Sequence, residues 1–151
     1  MTLYEILKFF HVLLAIVAVG FNASYGIWLA RAAREPEHEL HVLKTIKVLD
    51  DRFANPAYAL LLVLGIWMTL IGPWEFTTFW ISTALGLYVV VAALAITVYS
   101  PALRRQITLL EAGEGGSAEY SALSKKAAAV GGLLGFLVVA IVFLMVTKPT
   151  P

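Results

Sequence analysis

Four near-continuous apolar runs, most of them about 20 residues long, constrain this chain more than any other feature of it. A hydrocarbon core about 30 Å thick takes roughly 20 helical residues to cross, and lipid offers no partner for a backbone N–H or C=O. Runs of this length therefore predict an all-α protein, a transmembrane four-helix bundle forming one integral membrane domain over residues 1–151. Composition agrees: 60% of the residues are hydrophobic, 14% are charged and the mean hydropathy is +0.84, which rules out a soluble enzyme. The net charge of +1, from 11 Lys and Arg against 10 Asp and Glu, supplies no basic surface of the kind nucleic acid requires. With 0 cysteines the chain has no disulfide, thiolate metal site, iron–sulfur cluster or cysteine nucleophile.

The spans are read at about 6–30, 56–71, 79–99 and 127–146. The first opens with Glu5 before Lys8 and runs longer than the apolar core of a signal peptide, so it is expected to be a retained anchor. It stops at Arg31-Ala-Ala-Arg34-Glu-Pro36. Residues 37–53 carry Leu40, Leu43, Ile46 and Leu49 at helical spacing, which predicts an amphipathic helical extension before span two. Asn55-Pro56 then reads as a kink or break, and Pro101 as the close of span three. Residues 111–117, rich in Gly and Glu, read as a flexible connection rather than a phosphate cradle.

Basic residues set the expected orientation. Arg31, Arg34, Lys44, Lys47 and Arg52 lie between spans one and two, and Arg104, Arg105, Lys125 and Lys126 between spans three and four. The positive-inside rule places loops 31–55 and 100–126 in the cytoplasm and both termini outside the cytoplasmic membrane. Tyr4, Trp74 and Trp80 then read as an outer aromatic belt.

An ionisable side chain inside a span is a functional candidate because lipid cannot solvate it. His11 is the histidine that qualifies, and Ala15, Ala18 and Asn22 follow on the same helical stripe. A neutral imidazole above small residues suits an axial ligand of haem b, with His11 binding the metal; the same residues also suit a histidine bonded to a neighbouring helix as packing glue. Met68 sits at comparable depth as a possible sixth ligand, with Met145 less well placed, and gap-filling core packing is the plainer role of both. His38 and His41, at i and i+3, permit weak divalent-metal capture but read first as a solvated face. Asp50 and Asp51 read as solvated boundary charge within pairing reach of Arg52. Gly131-x-x-x-Gly135, Gly132 and Ser82-x-x-x-Gly86 let helix backbones approach, and allow a homodimer or a membrane partner.

The segments Phe9-Phe10-His11-Val-Leu-Leu-Ala-Ile-Val-Ala-Val-Gly20 and Asp50-Asp-Arg-Phe-Ala-Asn-Pro56, with the ending Phe143-Leu-Met-Val-Thr-Lys-Pro149, resemble a bacterial family of four-span membrane proteins of unknown function. The first-span histidine with its small-residue stripe is also similar to CopD-like proteins and to the bacterial membrane protoporphyrinogen oxidase. That wider likeness implies a helical bundle in which His11 ligates haem b. The oxidase type carries a lysine at the start of its third span, where this chain reads Phe79-Trp-Ile-Ser-Thr-Ala-Leu, so porphyrinogen oxidation is not implied. Three functions are thus open: a haem-b protein in electron transfer or haem handling, with His11, Met68 and Asn22 at the site; an accessory or assembly protein acting through helix packing, a partner or lipid; and, with least support, a dimeric permease.

Overall fold

The computed structural model describes residues 2–150, and its elements are all helical. They are α1 (Leu3–Ala32), α2 (Pro36–Leu49), α3 (Asn55–Ile71), α4 (Phe79–Leu94), α5 (Ser100–Glu111) and α6 (Ala118–Thr147). Single π-helical turns, Asp50–Ala54 and Ala95–Tyr99, join α2 to α3 and α4 to α5, so the chain makes four long helical courses in up-down-up-down order. All four are long and apolar enough to cross a membrane.

The helix ends follow from local chemistry. Thr2 and Glu5 cap α1 reciprocally: the Glu5 N–H donates to Thr2 Oγ1 at 3.3 Å and the Thr2 N–H to Glu5 Oε2 at 2.8 Å. Pro36 opens α2 at a position where its missing N–H costs nothing. The connection expected to be flexible is instead a tight turn: Glu114 N donates to Leu109 O at 2.8 Å and Gly113 N to Leu110 O at 3.1 Å, with Gly113 at φ +76°. This pairing satisfies the last carbonyls of α5 and needs the left-handed conformation that glycine adopts freely.

Neither internal proline ends a helix. Pro56 and Pro101 lack the N–H of an α-helical bond, and each is preceded by a π turn whose closing bond spans five residues, Asn55 N to Asp50 O and Ser100 N to Ala95 O. The wider turn absorbs the proline ring without a break, so residues 36–71 form one helical course rather than a separate extension followed by a span. Span three likewise continues past Pro101 to Glu111.

A course of 33 or 36 residues is about 50 Å long at about 1.5 Å per residue, well beyond a core of about 30 Å. The excess lies at the end of the bundle that carries most of the charge. There Leu43, Ile46, Leu103 and Leu109, each 2% exposed or less, are the most completely buried large side chains of the molecule. Leu43, Ile46 and Leu103 join Tyr25, Tyr99, Ala102 and Ala127 in one core cluster. Polar links surround them: Lys44–Glu111 at 2.7 Å, Arg105–Glu119 at 2.7 Å, and the Tyr120 hydroxyl donating to Glu39 at 2.6 Å. Toward the other end the outward faces are bare apolar side chains such as Ile16, Leu70, Phe136 and Val146, the last 76% exposed. That pattern suits lipid as the surrounding solvent.

The two ends are packed differently. α1 runs along α3 and α4 along α6, while α2 meets α5 at the charged end. Between α3 and α4, and between α1 and α4, no Cα pair comes within 8 Å. The bundle is therefore closed at the charged end and parted at the end where α1 begins, α6 ends and the 72–78 connection lies.

Candidate functional site

The parting of the helix pairs leaves a cavity of about 440 Å³, within the usual range for small-molecule and cofactor sites. α1 contributes His11 and Ala15, α3 contributes Tyr58, Gly65 and Met68, α4 contributes Tyr88, and α6 contributes Met145. Its lining is overwhelmingly apolar.

His11 faces inward because it shares a stripe with Leu7, Ala18 and Tyr25, all buried, Ala18 completely. Its imidazole lies against the α3 backbone, and Gly65 is what makes this approach feasible: a Cβ there would sit 3.2 Å from His11 Cε1. The Leu61 backbone approaches the ring, yet Nδ1 is buried with no hydrogen-bond partner. A buried polar atom left unpaired costs on the order of 1–3 kcal/mol, and most native examples have a functional or solvent explanation.

Met68 lines the same cavity as His11, and so does Met145 from the opposite helix pair. Asn22 continues the His11 stripe but lies outside the cavity wall. Its side-chain amide donates to Ala18 O at 3.0 Å and to the Tyr58 hydroxyl at 2.9 Å. Tyr58 is thus held by Asn22 at one edge of the cavity, and the Tyr88 hydroxyl crosses the gap from α4 to the Tyr58 carbonyl at 3.0 Å. Gly65, Tyr58 and Tyr88 were not legible as site residues; each looks like ordinary filling of an apolar run, and what they share is visible only once the helices are placed.

The tryptophans expected in an outer belt line the cavity at this end of the bundle. Trp74 and Trp80 meet edge to face with centroids 5.3 Å apart, and Trp80 is 7% exposed. Lys148, at the left-handed end of α6, places its ammonium 4.8 Å from the Trp74 ring and 5.6 Å from the Trp80 ring. Lys148 and Lys8 both line the cavity, so its mouth is positively charged above an apolar interior.

The glycine motifs divide. A Cβ at Gly131 would meet the Tyr99 ring at 3.4 Å, whereas one at Gly86, Gly132 or Gly135 would meet nothing within 4 Å. Those three face outward and bring no helices of this chain together. His38 and His41 are exposed, and among the described residues no three His, Cys, Asp or Glu side chains cluster as a metal site. Asp50 departs most from expectation: it is buried, 9% exposed, while Asp51 stays at the surface with Lys47 as its ion-pair partner in place of Arg52.

Beyond the spans, the hydrogen bond from Arg105 holds the Glu119 carboxyl below its ordinary value, and burial raises the Tyr120 hydroxyl above its own. Both groups fasten α6 to the charged end and stand away from the cavity.

Neither a curated protein nor a solved structure matches the sequence. The family comparison supports the membrane reading and does not extend to CopD-like proteins or to haem. Residues 5–149 match the family described as "Predicted integral membrane protein (DUF2269)", and with nearly the whole chain inside that match the protein belongs to the DUF2269 family.

Proposed function

We propose that the cavity between the helix pairs binds haem b, with His11 as axial ligand and Met68 as sixth ligand, in an electron-transfer or haem-handling role. The observation that supports this most is His11 on the wall of an apolar cavity, its ring set against α3 at Gly65. A metal takes the nitrogen of a neutral imidazole that points into open space, while the other nitrogen, set against backbone, orients the ring. Gly65 fixes the ring against α3, and Asn22 acts one step back by holding Tyr58 at the cavity edge. Lys8 and Lys148 at the mouth suit the carboxylates of a ligand whose body is apolar. Bound haem supplies a one-electron redox centre; the chain's own part is to ligate, orient and exclude water.

On this reading the protein lies in the bacterial cytoplasmic membrane with both termini outside, so that the cavity opens toward the outer face. The basic end, including α2 as an amphipathic extension of the second span, lies in the cytoplasm.

The test is an absorbance spectrum of protein purified in mild detergent after haem-replete expression, before and after dithionite, with a pyridine haemochrome assay. A Soret band that His11→Ala removes at unchanged expression is the expected result. A featureless spectrum overturns the proposal. In that case the outward-facing Gly86, Gly132 and Gly135, which meet nothing in this chain, favour the second reading, a non-catalytic accessory or assembly protein that packs against a membrane partner. Recovery of one stoichiometric partner in mild detergent supports that reading.

A further inference from the structure

The charged end of the bundle contains a buried polar cluster that the haem proposal does not use. Asp50 opens the first π turn, which packs against α1, and Tyr99 closes the second and packs with Tyr25 and with Ile46, one helical turn before Asp50. Tyr25 reaches the cluster from α1; it is 3% exposed, and its hydroxyl is buried without a hydrogen-bond partner. Single π turns inside α-helices recur at functional sites, and here both deliver an ionisable side chain to the interior.

The groups facing Asp50 are few. Asn55 donates to its Oδ2 at 3.3 Å, a long bond. Lys47, its side chain 12% exposed, is near on the same helix and is shared with Asp51, with which it pairs. Tyr25 from α1, Tyr58 from α3 and Tyr99 from the second π turn complete the surroundings, and none is cationic. A carboxylate taken out of water with one long hydrogen bond and no dedicated cation is expensive, and the inexpensive form at such a place is the neutral acid.

We infer that Asp50 is a proton-binding site inside the bundle, its carboxylic acid linked through water to the Tyr25 hydroxyl. The unpartnered Tyr25 hydroxyl then has its second group, and the carboxyl oxygen not engaged by Asn55 has its own. Release breaks the carboxyl O–H bond, leaves the electron pair on the carboxylate and passes the proton to the bridging water. The site stands whether or not the cavity holds haem.

Infrared difference spectroscopy of the full-length protein in lipid vesicles, from about pH 5 to about pH 9, tests it. Exposed carboxyls are ionised at about pH 7, so a carboxylic-acid C=O band persisting there reports a buried acid. The expected result is such a band, lost in Asp50→Asn, retained in Asp51→Asn, and shifted in Tyr25→Phe, which removes only a hydroxyl. No band in the unaltered protein, a band that survives Asp50→Asn, or a band that Tyr25→Phe leaves unmoved overturns the inference. Should Asp50→Asn fail to fold, the Tyr25→Phe arm decides alone, because it keeps the ring that packs in the core.

Discussion

At Gly65 one missing methyl decides where a histidine can stand. The His11 ring occupies the space a side chain at position 65 would enter, and a Cβ 3.2 Å from Cε1 forces the imidazole to give way. Gly65→Ala is therefore expected to destabilise the bundle by about 1–3 kcal/mol through overpacking, against its favourable helix propensity. Gly86→Ala, with nothing within 4 Å, is expected to leave stability unchanged or raise it by up to about 1 kcal/mol through helix propensity. Thermal unfolding of the two variants side by side in one detergent checks this. His11 itself was legible in the sequence, because an ionisable residue stands out in an apolar run. Gly65 was not: among Leu, Ile and Val it carries no chemistry of its own, and its role exists only relative to a side chain 54 positions away in sequence. Asp50 was misread for the complementary reason. Beside Asp51 and Arg52 it looks like surface charge, and only the turn that points it inward separates it from its neighbour.

Among the helices, the prolines teach the same lesson at larger scale. Asn55-Pro56 and Pro101 are visible as interruptions, but whether a proline breaks a helix depends on whether an adjacent turn can widen and the flanking segments stay packed. Here α2 is held on α5 and α5 on α6, so the course continues through both prolines. The packing that holds them is unusual for a membrane bundle, since its tightest part has the charged residues around it. Leu103, 1% exposed, is surrounded by this core, whereas Val139, 61% exposed, faces outward from α6. Leu103→Ala is expected to cost about 2–5 kcal/mol and Val139→Ala less than about 0.5 kcal/mol. Unfolding midpoints in mild detergent distinguish them, and equal losses would show that the charged end does not anchor the fold. The exposed pairs there contribute less, each about 0–1 kcal/mol.

Over the whole molecule, asymmetry is the organising fact: one end closed by a small core and ion pairs, the other parted around a cavity. The proposed orientation predicts which end meets which solvent, and the absence of native cysteine makes it simple to test. Thr77→Cys and Glu114→Cys both replace exposed side chains in opposite connections. A membrane-impermeant maleimide applied to intact cells, with the outer membrane permeabilised where one is present, is expected to label position 77 and to reach position 114 only after lysis. The reverse pattern inverts the topology. The sequence by itself determined the number of spans, their membrane setting and the placing of His11 on an inward stripe, because run length, charge and a period of about 3.6 are properties of a single segment. Tertiary structure alone decided that the helix pairs part, that Met68 and Met145 share a cavity with His11, that the tryptophans line it, and that Asp50 is buried. Each of those depends on which helices touch. In a chain whose apolar faces look alike from every side, hydrophobic pattern does not specify that; small residues and buried polar contacts do.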